Sequence, residues 1–151
     1  MNELIEDYLR NRGVRYFRGH HDDEFFYFVD FLVGAYRGRL NVHLEVRGAR
    51  HDAVRVSISP DRFYPAEQRD QLTGLAARWN AGTPCVDALV FDSSDPALVG
   101  VGARASRRPG DLAGVTDFVD RAVESSIELF GLMKSATLPD PQARAGLRDA
   151  G

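Results

Sequence analysis

Much of the first half of the chain alternates between apolar and polar residues with a period of two. This period is typical of strands in a sheet that buries one face. The stretch 14–59 is interrupted at 20–23, 34–38 and 48–52, where glycine, histidine and aspartate favour turns. The clearest buried positions are Leu40, Val42, Leu44, Val46, Val54, Val56 and Ile58. The pattern therefore predicts four strands joined by hairpins.

Three other segments carry apolar residues at the spacing of an amphipathic helix. The first follows Asn2, a candidate N-cap, and stops at Gly13. The second lies between Pro65 and Gly82, and the third is long and reaches about Ser135. Two further strands, at about 85–91 and 98–107, separate the second helix from the third.

The predicted order of elements is α-β-β-β-β-α-β-β-α. It favours an α+β fold, in which an antiparallel sheet carries helices mainly on one side. Residues 1–135 are predicted to form a single domain, because the third helix ends there. Residues 136–151 contain two prolines and many small or charged residues, so they are predicted to be a flexible C-terminal tail.

The second predicted strand departs from this plain alternation, because both of its faces are apolar. One face carries Phe25, Tyr27, Val29, Phe31 and Val33. The other carries Phe26, Phe28 and Leu32, on the same side of the sheet as polar residues of the third strand. A shift of the register by one residue would exchange the two faces. If the first set is buried, then Phe26, Phe28 and Leu32 need another cover.

That cover has three candidates, and the sequence leaves them open. A helix of the same chain is one, since three helices are available for one sheet. A second copy of the chain and a bound peptide are the others. Leu89 and Phe91 repeat the pattern in the fifth predicted strand, which strengthens the case for two covered faces.

Composition places the chain among ordinary globular proteins. It has 151 residues, of which 44% are hydrophobic and 27% charged, and a formal net charge of −3. This acidic balance argues against nucleic acid as a partner. No apolar run is long enough for a membrane-spanning helix, and the first residues lack the layout of a signal peptide, so we expect a cytoplasmic protein.

The histidines are candidate metal ligands. The segment 20–23, His-His-Asp-Asp, contains metal-ligand types, but adjacent residues in a turn rarely converge on one ion. We therefore interpret it as a polar turn. His43 and His51, on a polar strand face and in a loop, are expected to be solvated. The sequence thus predicts no metal ligand and no cofactor.

Residues 100–105 formally match the relaxed dinucleotide fingerprint G-x-G-x-x-G/A. That fingerprint requires a helix directly after the glycines, whereas here the alternation of a strand continues and Pro109 stops a helix from running on. We therefore predict a strand whose glycines permit a bulge or close packing.

No nucleophile or anion site stands out. Cys85 has no histidine or aspartate near it in the sequence to activate it, so a buried structural thiol is the favoured interpretation. Arg104, Arg107 and Arg108 are expected at a solvated strand end rather than around an anion. Signatures of serine hydrolases, zinc peptidases and P-loops are absent.

Taken in order, several local patterns resemble the YbjN family, whose domain is similar in fold to type III secretion chaperones. They are Tyr8-Leu9 and 13–16 (Gly-Val-Arg-Tyr), the hairpins through Ile58, Leu72 to Trp79-Asn80, and Phe118 with 128–130 (Glu-Leu-Phe) in the closing helix. The resemblance covers roughly residues 3–135. It implies a non-enzymatic domain, often a homodimer, that holds an extended peptide or a client protein.

The functional hypothesis is therefore a chaperone-like or regulatory adaptor that binds a client protein or peptide. Phe26, Phe28 and Leu32 are its candidate binding residues, and no catalytic residue is predicted. The alternative is a small-ligand or metal-binding domain, or an enzyme, that uses 20–23, Asp92, Asp95 or the arginines in a pocket that sequence separation hides.

Overall fold

The computed structural model describes residues 1–21 and 23–137 and has the predicted α+β architecture. The helices are α1 (Asn2–Arg12), α2 (Arg69–Ala81) and α3 (Leu112–Ala136). The strands are β1 (Tyr16–Arg18), β2 (Glu24–Val33), β3 (Tyr36–Arg47), β4 (Ala53–Pro60), β5 (Tyr64–Pro65), β6 (Asp87–Asp92) and β7 (Leu98–Arg107). Only the two-residue β5 was not predicted, together with a short 3-10 turn, Ala66–Gln68. Apart from Ala136 and Thr137, the predicted tail lies outside the described residues.

The seven strands form one antiparallel sheet. Strands β1 to β4 are neighbours in chain order, and β4 then pairs with β7. One side of β7 carries β4 and the short β5, and the other side carries β6. Because consecutive strands are joined by hairpins, their pairing needs only short turns. None of the helices in the described part of the chain is long and apolar enough to cross a membrane.

The alternation of the strands sorts the side chains onto two faces. The core face carries Phe25, Tyr27, Leu40, Val42, Leu44, Val54, Val56, Ile58, Val99, Val101 and Ala103, all of them buried. The buried residues of α1, α2 and α3 belong to the same cluster, so the helices cover this face. The opposite side of the sheet, which we call the outer face, carries the polar residues of β3 and β4 and the second apolar set of β2.

The first helix begins at its candidate cap, one residue earlier than predicted. Met1 occupies the N-cap position, and Asn2 is the first helical residue, so the prediction of an Asn2 cap is wrong. The side-chain amide of Asn2 instead donates to Asp23 Oδ1 at 3.1 Å. The predicted stop is confirmed, because Gly13 adopts a left-handed conformation with φ of 68°.

The β6 edge of the sheet is held by α2. The side-chain amide of Asn80 accepts from the backbone N–H of Ala88 at 2.7 Å and donates to its carbonyl at 3.1 Å. The indole N–H of Trp79 donates to the carbonyl of Val86 at 2.9 Å. These contacts satisfy backbone groups that an edge strand would otherwise offer to another chain.

Residues 100–105 lie within β7, which confirms the prediction of a strand. Gly100 lies opposite Phe91 of β6, whose ring covers it on the outer face. A Cβ atom added to Gly100 would lie 2.5 Å from Cζ of Phe91. The glycine is therefore required for close packing, and no nucleotide fingerprint is formed.

We expect Gly100→Ala to lower the free energy of unfolding by about 1 kcal/mol, at the low end for overpacking, because the half-exposed Phe91 ring has room to turn outward. Urea unfolding measures the change. In a Phe91→Ala background the same substitution should cost nothing, because its steric partner is gone. Equal costs in both backgrounds would show that the Phe91 contact is not the cause.

Candidate functional site

The three candidate binding residues of β2 lie exposed on the outer face. Their exposed fractions are 38% for Phe26, 49% for Phe28 and 62% for Leu32. Phe17 of β1, opposite Phe26, is 53% exposed and extends the same surface. We call these four side chains, three phenylalanines and one leucine, the aromatic strip. Since the helices lie on the other side of the sheet, none of them covers it.

The strip is bordered by polar side chains of β3 that contact its rings. Arg39 places its guanidinium 5.5 Å from the centre of the Phe28 ring and also forms an ion pair with Asp30 at 2.9 Å. The hydrogen bond from Arg39 lowers the pKa of Asp30 below its ordinary value. These contacts hold Arg39 over Phe28 while leaving half of the ring open to a partner.

Beside the strip, part of the β2 backbone edge is open. The three residues of β1 pair only with Phe25–Tyr27. From Phe28 to Val33, β2 pairs with β3 on one side and with no described strand on the other. On β6, by comparison, the backbone groups of Ala88 are engaged by Asn80. An unpaired strand edge is a template for an added strand.

A groove lies next to the open edge, on the helix side of the sheet. Val33, Ala35 and Tyr36 of the β2–β3 hairpin line it together with Ile127, Gly131 and Leu132 of α3 and other residues of that helix. Its volume is about 690 Å³. This groove was not predictable from the sequence, because its two walls are about 90 residues apart and meet only after the sheet forms.

At the other end of β2, the outer face carries Glu24, His43 and Glu45. The prediction of a solvated His43 is wrong: its ring stacks on Phe26, with 4.4 Å between the ring centres and an angle of 6° between the planes. Its side chain is 28% exposed. The stack follows from cross-strand pairing of Phe26 with His43, which can be deduced once the register is known.

The residues of the alternative ligand site are not brought together. Of the segment 20–23, His20, His21 and Asp23 are described, and they precede β2 at the end of the sheet where β7 finishes with Arg107. Asp92 and Asp95 lie in the β6–β7 hairpin, at the opposite end of β7. There Asp92 forms an ion pair with Arg69, and Asp95 accepts from the backbone of Ala97. Asp22 lies outside the described residues.

Cys85 is exposed, so the prediction of a buried structural thiol is wrong. Cys85 lies in the segment before β6, which begins at Asp87. Val86, and not Cys85, is the first buried residue of this segment. Cys85 lines a depression of about 220 Å³ together with Arg107, Arg108 and Arg121. Arg104, Arg107 and Arg108 are exposed, as expected of a solvated strand end.

Comparison with known proteins gives one informative likeness. No family model matches the chain, and no curated protein matches it. Among solved structures, the chain is similar to the crystal structure of YbjN, a proposed transcription regulator from E. coli. The TM-score is 0.61 at 15% sequence identity, and the match covers 91% of this chain and 95% of the other. At this identity the likeness shows the fold alone: the chain has a YbjN-like α+β fold.

Proposed function

We propose that this protein is a non-enzymatic regulatory or adaptor domain that binds an extended segment of a partner protein along β2. The observation that carries the proposal is the aromatic strip, whose large apolar side chains lie beside an open strand edge. YbjN, which shares the fold, is described as a proposed transcription regulator. With a net charge of −3, regulation through a protein partner is favoured over direct contact with nucleic acid.

The open edge supplies the main-chain part of such recognition. An extended segment that pairs with Phe28–Val33 would lie along the same edge of β2 as β1, next to the end of β1. Its backbone would gain hydrogen bonds from β2, and its side chains would alternate between the two faces. Strand addition of this kind gives affinity without demanding a particular sequence.

The two faces supply the side-chain part. Alternate residues of the segment would lie next to Phe28 and Leu32 on the outer face, and the others would point toward the groove below Val33. The groove is mainly apolar, whereas on the outer face the ion pair of Asp30 with Arg39 lies between Phe28 and Leu32. The segment that fits best therefore carries apolar residues toward the groove and next to Phe28 and Leu32, with a polar residue next to Asp30. Exposed aromatic side chains that lose their water on binding are frequent hot spots of interfaces.

Selection from a displayed peptide library with wild type alone as bait tests the proposal, and the selected peptides are then measured against Phe28→Asp/Leu32→Asp. We expect the selected peptides to bind the double variant at least roughly 30-fold more weakly in fluorescence anisotropy. The variant should fold, because both side chains are largely exposed, and circular dichroism checks this. Phe91→Asp, which alters a 42% exposed phenylalanine of β6 at the opposite edge of the sheet from β2, is the matched control and should bind normally.

Light scattering on the same proteins separates a partner segment from self-association. A wild-type monomer keeps the strip available for another protein and supports the proposal. A wild-type dimer that becomes a folded monomer in Phe28→Asp/Leu32→Asp would instead assign the strip to a second copy of the chain. Peptides that bind wild type and the double variant equally would also contradict the proposed surface.

A further inference from the structure

We propose that Glu24, His43 and Glu45 bind a divalent transition-metal ion of the zinc class on the outer face. Each offers one ligand atom, and these atoms all lie within 4.8 Å of one another. Glu24 and Glu45 are directly opposite each other on β2 and β3, and His43 is two residues from Glu45 on the same face. The site goes beyond the proposed peptide surface, with which it shares the stack of Phe26 on His43.

The separations suit a metal better than they suit hydrogen bonds. His43 Nε2 lies 3.8 Å from Glu24 Oε1, which is too long for a hydrogen bond. Two ligands bound to a tetrahedral zinc at about 2.0–2.2 Å lie roughly 3.3–3.6 Å apart. A shift of a few tenths of an ångström would therefore bring this pair to ligand distance. Rotation of the Glu45 side chain would bring its carboxylate to ligand distance as well.

His43 gives an independent indication of a ligand. Its Nε2 atom is shielded from solvent and has no hydrogen-bond partner among the described residues. A buried polar atom without a partner has a free-energy cost, which a metal bond would remove. The stack on Phe26 fixes the plane of the imidazole ring and so orients Nε2 before any ion arrives.

The charges around the site fit a dication. Two carboxylates placed directly opposite each other in a sheet repel, and a metal bound between them would remove this repulsion. Arg47 donates to Glu45 Oε1 at 3.0 Å, which leaves the second carboxylate oxygen for an ion. Arg55 of β4, opposite Glu45, is a second cation beside the site.

The ligand types select the class of ion. Two carboxylates with one imidazole suit zinc and related transition metals, whereas calcium and magnesium prefer oxygen ligands alone. Three protein ligands leave a fourth position of a tetrahedral ion for water or for a side chain of another molecule. All three ligand side chains are partly exposed, so an ion can reach them from solvent.

Titration calorimetry with Zn²⁺ on the tag-free full chain tests the site, and the visible absorption of bound Co²⁺ reports the ligand geometry. We expect one ion per chain. His43→Gln and Glu24→Gln should each weaken Zn²⁺ affinity by at least roughly 10-fold. The matched controls are His51→Gln, which removes a 68% exposed histidine 3.6 Å from Asp23, and His20→Gln/His21→Gln; both should bind normally.

Unchanged affinity in folded His43→Gln, loss of binding in His20→Gln/His21→Gln, or no binding by wild type would each overturn the site. Phe28→Asp/Leu32→Asp should bind Zn²⁺ as wild type does, because neither residue belongs to the cluster. Failure of the peptide surface would thus leave this result untouched, and failure of the metal site would leave the peptide result untouched.

Discussion

Phe25→Ala is expected to lower the free energy of unfolding by about 3–5 kcal/mol, whereas Phe28→Ala, in the same strand, should cost less than about 1 kcal/mol. Phe25 is fully buried on the core face and contacts Tyr16, with 6.1 Å between the ring centres. Phe28 has half of its surface in solvent, and its contact with the Arg39 guanidinium is weak at an exposed site. Urea unfolding followed by the fluorescence of Trp79, the single tryptophan, measures both changes.

The comparison is a test of register, because the two phenylalanines differ only in the face to which they point. Phe26→Ala, adjacent to Phe25, is the closest control and should resemble Phe28→Ala, with a small added cost for the lost stack on His43. If Phe28→Ala instead proved as costly as Phe25→Ala, the strand would be shifted by one residue. The aromatic strip would then belong to the core, and the proposed binding surface would be lost.

The outline of the fold follows from periodicity in this sequence. Strands β3 and β4 were predictable because each has one apolar and one polar face, and the length and apolar stripe of α3 predicted its end within a few residues. β5 was not predictable, since two residues are too few for any period. The prediction of an Asn2 cap was wrong because Asn2 lies inside the helix and donates to Asp23, a contact between residues distant in sequence.

The candidate site was only half visible in the sequence. The double-faced pattern of β2 indicated Phe26, Phe28 and Leu32, but it did not indicate whether a helix covers them. Helices α1, α2 and α3 all pack on the core face of the sheet. Which face the helices cover depends on packing between segments that are distant in the sequence. The open edge of β2 was also hidden, because it arises from the shortness of β1, whose residues are too few for a periodic signal.

Near the proposed surface, the core is closed by two buried tyrosines whose ionisation should limit alkaline stability. The hydroxyl of Tyr8 donates to Asp120 Oδ1 at 2.7 Å, and Asp120 also forms an ion pair with Arg12. Burial raises the pKa of Tyr27 to about 12, although the neighbouring Tyr8 hydroxyl and Arg12 lower it in part. Burial also raises the pKa of Tyr8 above its ordinary value.

A raised pKa in the folded state gives a stability that is fully present below the unfolded value, near 10, and is lost as the pH rises through the folded value, near 12. In that window the unfolded chain releases the proton of Tyr27 while the folded chain keeps it. We therefore expect the free energy of unfolding to fall between pH 9 and pH 11.5, with about 2 kcal/mol of the fall due to Tyr27 alone.

Tyr27→Phe should remove that share of the pH dependence, and urea unfolding at a series of pH values at constant ionic strength measures it. At pH 7 the variant should stay within about 1 kcal/mol of wild type, because the ring remains in the core and only a buried hydroxyl is lost. Absorbance titration of the folded proteins provides the control, since the variant should lack one late-ionising tyrosine. If the free energy of unfolding fell equally in wild type and Tyr27→Phe, the Tyr27 hydroxyl would ionise alike in the folded and unfolded chain. Water would then reach this hydroxyl more readily than its burial indicates.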